Sequence, residues 1–157
     1  LARQNAGINQ VRCRWVQADL FPWLRDAIAQ KNQFDVVILD PAKQTRDRDE
    51  IDLALRRYFD MNRLAFQAVK EGGILVSCSC TGLVGEPEFL ECIRRAARAA
   101  GRTVQVLEAA GAAPDHPFQL QVPEGRYLKT VFMRVLEAGE PMAPPTHIPR
   151  PDTGWDE

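Results

Sequence analysis

The sequence predicts an α/β fold with a mainly parallel sheet, and three observations support this prediction. Apolar runs that suit strands alternate with helical segments of about ten to twenty residues, as in doubly wound folds. Residues 36–39 form an apolar run without alternation, which is typical of a strand covered by helices on both faces. Asp19, Asp40 and Cys80 each stand where a predicted strand ends. Ligands bind at that edge of open α/β sheets, so these three residues mark a candidate site.

The apolar patterns predict five strands and four helices. The strands are expected at residues 13–18, 34–39, 74–80, 104–107 and 128–136. The helices are expected at residues 1–9, 21–30, 51–70 and 87–100. Because no helix separates the last two strands, we expect them to form an antiparallel hairpin at the edge of the sheet.

Glycine and proline residues set the expected ends of these elements. Gly7 is expected to cap the first helix in the left-handed conformation. Pro41 cannot donate to a sheet ladder and favours an extended Asp40, so the central strand must end with the Asp40 carboxylate at its carboxyl end. Gly72 and Gly73 are expected to end the third helix.

Composition limits the possible classes of protein. The 157 residues are 45% hydrophobic and carry 20 basic and 21 acidic side chains, which suits one compact domain without a bulk basic surface. This balance does not exclude RNA as a substrate. Four cysteines and two histidines without a signal peptide resemble neither a disulfide framework nor a zinc site. We therefore expect a reduced, cytoplasmic protein with no metal and no membrane span.

The two ends of the chain differ from its middle. Residues 139–157 contain five prolines and are expected to form a tail without regular structure. The chain lacks an initiator methionine and its first residues already suit the middle of an element. We therefore expect it to be part of a longer protein, with further strands of the sheet upstream.

Four stretches of the sequence resemble a known methyltransferase family. They read FDVVILDPAK, RRYFDMNRLAF, EGGILVSCSCTGLV and DHPFQLQVPEGRYLKTVFMRV. In this order and spacing they resemble the class I S-adenosylmethionine-dependent methyltransferases that act on cytosine C5 in large-subunit (23S) rRNA. The resemblance covers residues 1–136, with three small departures. Ala42 and Thr130 stand where the family has proline and glycine, and Cys78 stands where it often has an aromatic residue.

The resemblance implies a fold, a cofactor and a substrate. The fold would be a Rossmann-like class I methyltransferase sheet whose amino-terminal part, with the glycine-rich cofactor motif, lies upstream of Leu1. Residues 1–138 would then be the carboxyl part of a catalytic domain, inactive on its own. The implied cofactor is S-adenosyl-L-methionine, and the implied partner is 23S rRNA. Without those upstream strands, one flank of the central strand would be exposed. We therefore also expect the chain to associate, as a homodimer, or to be marginally stable.

The resemblance also implies roles for individual residues. Cys80 would be the nucleophile, and Asp40 would bind the polar edge of the base and stabilise the adduct. The residues implied to bind cofactor are Asp19, Leu20, Asp40 and Pro41. The residues implied to bind substrate are Pro41, Ala42, Lys43 and His116.

The chemistry explains why a cysteine is needed. Carbon 5 of cytosine is a poor nucleophile until a thiolate adds to carbon 6. Strand alternation places Cys78 and Cys80 on the same side, so geometry leaves both open, and the resemblance favours Cys80. A reactive thiol also needs a local positive field, which Lys43 or Arg57 could supply.

Plainer interpretations stay open for each of these residues. Free cysteines are most often small core residues, Asp19 could simply cap a helix, and His116 could be a turn residue. Two other functions also stay open. One is a related rRNA methyltransferase acting on a guanine nitrogen, which needs no cysteine, and the other is a binding module that keeps the fold without chemistry.

Overall fold

The computed structural model describes residues 1–122 and 125–136. Its helices and strands are α1 (Ala2–Ile8), α2 (Leu20–Ala29), β1 (Phe34–Leu39), α3 (Ile51–Ala68), β2 (Val69–Ser79), α4 (Glu86–Ala99), β3 (Thr103–Ala110) and β4 (Lys129–Leu136). A short 3₁₀ turn, Arg48–Glu50, leads into α3. The proline-rich tail expected at residues 139–157 lies outside the described residues.

The four strands form one sheet in the order β1-β2-β4-β3. β1 and β2 are parallel, and β4 is antiparallel to both of its neighbours, β2 and β3. Three strands therefore point the same way, and β4 runs against them between β2 and β3. This confirms the predicted α/β fold, in which most strands of the sheet point the same way and the last two strands form an antiparallel hairpin at one edge.

The strand predicted at residues 13–18 is absent, and this prediction was wrong. The segment is irregular and its side chains are exposed, including Trp15 and Val16. A strand needs a neighbour to pair with its backbone groups. In the described part of the chain β1 pairs with β2 on one side and with no strand on the other. Asp19 therefore does not stand at the end of a strand.

The boundary between α3 and β2 also differs from the prediction. α3 ends at Ala68, and β2 begins at once at Val69. Phe34 pairs with Val69 and Val36 pairs with Ile74, so β2 carries extra residues in a bulge between these two pairs. The two glycines expected to end the helix lie inside this bulge.

The end of the first helix is a further small correction. Gly7 lies inside α1, and the helix continues to Ile8. The residue with a positive φ is Gln10, at 55°. The left-handed position therefore falls three residues after the glycine that was expected to occupy it.

The described helices α2, α3 and α4 lie side by side, with α3 in the middle. The buried face of α3 follows the predicted helical period and packs on β1, β2 and α4. It includes Ala54, Tyr58, Met61, Ala65 and Phe66. Each large apolar side chain buried here stabilises the fold by roughly 1.5–3 kcal/mol.

One face of β1 is left open. Val36 and Ile38 are 56% and 69% exposed, although both belong to the apolar run that suits a strand covered on both faces. The described residues therefore form two layers, helices on one face of the sheet and an open face at β1. No helix in the described ranges has the length and apolar character needed to cross a membrane.

Candidate active site

The carboxyl ends of β1 and β2 lie side by side, as the sequence predicts. Leu39 pairs with Ser77, so the residues that follow them, Asp40 and Cys78, lie at the same level of the sheet. Cys80 comes immediately after the end of β2 and is half-buried. Asp40 is exposed. The site therefore has one accessible carboxylate and two thiols at neighbouring strand ends.

The loop that follows Asp40 is held against the segment that follows Cys80. The backbone N–H of Gln44 donates to the Thr81 hydroxyl at 3.0 Å. The Arg57 guanidinium donates to the Gln44 carbonyl at 3.3 Å. These contacts fix the end of a short loop that presents Pro41, Ala42 and Lys43 beside the site.

Three buried hydroxyls connect α3 to the end of β2. The Ser79 hydroxyl donates to the Tyr58 hydroxyl at 2.9 Å, and the Tyr58 and Thr81 hydroxyl oxygens lie 2.8 Å apart. The backbone N–H of Thr81 donates to the Ser79 hydroxyl at 3.3 Å. Burial raises the pKa of Tyr58, against the hydrogen bonds from its two partners. Tyr58 is therefore a core residue, and it supports the turn that follows Cys80.

The four cysteines occupy different environments. Cys13 is exposed in the irregular segment before α2, and Cys92 is buried in the core, where burial raises the pKa of its thiol to about 11. Burial and then the Asp40 charge raise the pKa of Cys78, although Thr130 donates to its sulfur at 3.7 Å. Cys78 and Cys92 are therefore held in the thiol form, which is poorly nucleophilic.

A buried lysine lies under the site, and sequence reasoning assigned it no role. Lys129 is only 6% exposed, and its ammonium donates to the carbonyls of Thr81 at 2.7 Å and Val84 at 2.6 Å. Burial lowers the pKa of Lys129, and the charges of Cys80, Glu86 and Glu88 oppose that change. The signal was available, because Lys129 shares strand parity with the inward-facing Val131, Met133 and Val135.

Several predicted site residues have their described contacts elsewhere. Asp19 is the N-cap of α2, and its carboxylate accepts from the Phe21 N–H at 2.9 Å. His116 is exposed and lies 3.2 Å from the Asp115 carboxylate in the loop before β4. Lys43 is exposed, and Arg57 binds a backbone carbonyl rather than a sulfur. The described cation bound to the segment that directly follows Cys80 is Lys129, through the Thr81 carbonyl.

The ionisable groups of the site do not suggest a metal centre. Across residues 1–122 and 125–136, no three His, Cys, Asp or Glu side chains are arranged to hold an ion. The arrangement instead offers a thiol, a carboxylate and a buried ammonium within one corner of the sheet. Such a set suits nucleophilic chemistry on a polar, planar substrate.

The chain is similar in sequence to bacterial proteins that modify ribosomal RNA. It is 41% identical over 138 residues to a protein of Pseudoalteromonas atlantica named ribosomal RNA large subunit methyltransferase I, covering 86% of this chain and 35% of that protein. It is 39% identical over 137 residues to the protein of the same name from Aeromonas hydrophila, covering 85% and 34%. The chain thus spans about a third of the length of these relatives. No protein-family model matches it.

Solved structures of methyltransferases share the fold. A candidate S-adenosylmethionine-dependent methyltransferase of Streptococcus mutans matches with a TM-score of 0.73 at 16% identity, over 86% of this chain and 35% of that one. A candidate methyltransferase complexed with SAH matches with a TM-score of 0.71 at 17% identity, over 86% and 36%. The described residues therefore have part of the Rossmann-like fold of S-adenosylmethionine-dependent methyltransferases, as the sequence motifs predict.

Proposed function

We propose that this protein is an S-adenosylmethionine-dependent methyltransferase that methylates carbon 5 of a cytosine in large-subunit rRNA through a Cys80 adduct. The similarity to proteins named for large-subunit rRNA methylation supports the reaction and the class of substrate. The observation that carries the carbon-5 specificity is the position of Cys80, which follows β2 at the corner where Asp40 follows β1. Methylation of a nitrogen needs no thiol there, because the nitrogen has its own lone pair.

The exposed residues that the resemblance assigns to the cofactor have side chains suited to part of a cofactor site. S-adenosylmethionine would supply an electrophilic methyl group on a sulfonium. Asp19 and Asp40 are exposed carboxylates that can accept hydrogen bonds, and Leu20 offers exposed apolar surface beside Asp19. The proposed cofactor contacts of this chain remain Asp19, Leu20, Asp40 and Pro41.

The proposed reaction begins at the Cys80 sulfur. Its thiolate bonds to carbon 6 of a cytosine turned out of its RNA context, and the electron pair of the C5–C6 double bond moves to carbon 5. Carbon 5 would then accept the methyl group that bound S-adenosylmethionine supplies. A general base removes the carbon-5 proton, and the released electron pair expels the Cys80 thiolate.

Asp40 and its loop have a supporting role in this proposal. The Asp40 carboxylate would accept from the amino edge of the cytosine and stabilise the adduct. Pro41, Ala42 and Lys43 would line the floor and entrance for the nucleotide, since they lie in the fixed loop beside it. His116 is retained as a substrate contact through the long loop before β4.

The choice of Cys80 over Cys78 rests on electrostatics. Burial and the Asp40 charge raise the pKa of Cys78, so its reactive thiolate form is disfavoured in the same site. Cys78 also lies within β2, with its backbone paired to β4 at Thr130. Cys80 lies beyond the last paired residue of β2, at the edge of the sheet where ligands bind.

The test is covalent trapping on the complete protein. RNA that carries 5-fluorocytosine should form a covalent complex, because fluorine cannot leave carbon 5 as a proton. Cys80→Ser should abolish both trapping and methyl transfer, since a serine hydroxyl is a far weaker nucleophile. The matched variant Cys78→Ser should keep both and lose only about 1–3 kcal/mol of stability.

Each other outcome selects a different function. If Cys78→Ser loses activity while Cys80→Ser keeps it, the assignment of the nucleophile is reversed. If neither variant changes methyl transfer, the guanine-nitrogen reaction replaces this proposal. If the complete protein binds S-adenosylmethionine but transfers no methyl group to any rRNA, the protein is a binding module.

A further inference from the structure

The turn that follows Cys80 is clamped by one buried side chain. The Thr81 carbonyl accepts from the Val84 N–H at 3.1 Å, which closes a turn over residues 81–84. The Lys129 ammonium donates to the carbonyls at both ends of this turn, at 2.7 Å and 2.6 Å. Lys129 belongs to β4, where its neighbour across the sheet is Ser79. A single charge thus ties the chain after Cys80 to the central sheet.

The described hydrogen bonds of the Lys129 ammonium do not involve a carboxylate. An ammonium has three N–H donors, and the two described hydrogen bonds go to neutral carbonyls, so the positive charge is not neutralised by either partner. A lysine buried this deeply normally needs a compensating anion nearby. The ionisable groups that would act on it, when charged, are Cys80 just after β2 and Glu86 and Glu88 at the start of α4.

The two glutamates are poor candidates for that anion. Glu86 lies 3.5 Å from the Arg126 guanidinium and already has a cationic partner. Glu88 is exposed to solvent in the first turn of α4, where water weakens its field at Lys129. The third group, Cys80, directly precedes one of the two residues whose carbonyls the ammonium binds.

We propose that Lys129 is a positioning residue for the methyltransferase reaction, holding the turn after Cys80 and stabilising the Cys80 thiolate with its charge. The proposal rests on the function proposed above. It assigns the positive field that a reactive thiol needs to Lys129 instead of Lys43 or Arg57. Tyr58 also acts on this corner, but it is a neutral phenol at physiological pH, since burial raises its pKa.

The test measures how readily the Cys80 thiolate forms, and it needs neither RNA nor cofactor. Alkylation by iodoacetamide is followed against pH, and the Cys80 peptide is separated from the other cysteine peptides by mass spectrometry. Lys129→Gln keeps donors for the two carbonyls but removes the charge. It should raise the pH midpoint of Cys80 alkylation by about one unit, since it removes a positive charge bound to the residue next to Cys80. At pH 7 the rate should fall about threefold, because a more basic thiolate partly offsets the lower thiolate fraction.

The controls separate charge from folding. Lys129→Arg keeps the charge and should keep the midpoint, and alkylation of the exposed Cys13 should not change in either variant. A midpoint of Cys80 alkylation that stays at the wild-type value in folded Lys129→Gln would overturn the proposal. If Lys129→Gln does not fold, Lys129→Arg decides. Because arginine keeps the charge, a raised midpoint of Cys80 alkylation in that variant would also overturn the proposal.

This test is independent of the trapping test. If Cys80→Ser retains methyl transfer, the proposed reaction fails whatever the alkylation profile shows. If Cys80 is required but its alkylation does not depend on Lys129, only the inference about Lys129 fails. If both hold, methyl transfer by Lys129→Gln in the complete protein should fall and recover partly at higher pH, as more Cys80 ionises.

Discussion

Individual polar residues under the site differ in whether they have partners. Ser79 donates to the Tyr58 hydroxyl and accepts from the Thr81 N–H, and all three residues are buried. Ser77 lies two residues earlier on the same buried face, but its hydroxyl has no partner among the described residues. The two serines therefore form a matched pair for measuring what the hydroxyl network contributes.

We expect Ser79→Ala to lower the free energy of unfolding by about 1–3 kcal/mol, because it leaves buried groups without partners. Ser77→Ala should change it by less than about 0.5 kcal/mol or stabilise, since it removes a hydroxyl that was desolvated without compensation. Urea unfolding of the two variants measures the difference. Equal losses would show that the Tyr58–Ser79–Thr81 contacts contribute nothing beyond packing.

At this scale the sequence predicts that Asp40 and Cys80 follow strand ends, as they do, but it gives no role to Lys129. Asp40 could be predicted because Pro41 must end the strand, and Cys80 because the apolar run before it ends there. Lys129 was missed because a lysine in a strand is normally exposed. Its strand parity with Val131, Met133 and Val135 indicates the inward face, but the depth of its burial depends on the position of β4 between β2 and β3.

Among the elements, β2 departs most from its prediction. The apolar period of α3 runs into Val69, and the following Gly72 and Gly73 resemble a helix terminator, so the sequence favours a longer helix. In the structure the chain enters the sheet at Val69 and makes a bulge before its regular register with β1 resumes at Ile74. A register of this kind cannot be read from one strand, because it depends on the partner as well.

The two glycines of this bulge should respond differently to alanine. A Cβ at Gly73 would lie 2.9 Å from the carbonyl oxygens of Asp35 and Lys70, so backbone must move. A Cβ at Gly72 would meet nothing within 4 Å, although its φ of +76° is strained for alanine. We expect Gly73→Ala to cost about 2–3 kcal/mol and Gly72→Ala about 1 kcal/mol.

Thermal or urea unfolding of both glycine variants tests this order. Circular dichroism should show an unchanged helix content, since α3 ends before the bulge. A larger loss for Gly72→Ala than for Gly73→Ala would show that left-handed strain, and not the close approach of β1, limits this segment.

For the whole molecule, the largest difference from prediction is the number of layers. A run such as that in β1 is typical of a strand covered on both faces, yet the described helices cover only one. Residues 13–18 likewise have no strand to pair with among the described residues. Local sequence predicts which segments can form strands, but a strand exists only where a partner supplies the other half of its ladder.

The open face and unpaired edge of β1 lead to a prediction about association. Val36 and Ile38 expose apolar surface next to backbone groups without a strand partner in the described residues, a combination that promotes pairing between chains. We expect this chain to associate as its concentration rises, as the sequence also predicts. Ile38→Lys should reduce association, because a charge on an edge strand opposes pairing, without a measurable loss of stability at a position that is 69% exposed.

Sedimentation velocity across a wide range of concentrations measures this effect. Leu53→Lys is the matched control, since Leu53 is an exposed apolar residue that belongs to α3 and not to β1. It should leave the sedimentation coefficient of the wild type unchanged, whereas Ile38→Lys should shift it towards that of a monomer. A chain that is monomeric at every concentration, or a Leu53→Lys variant that dissociates as readily as Ile38→Lys, would exclude the β1 surface as the cause of association.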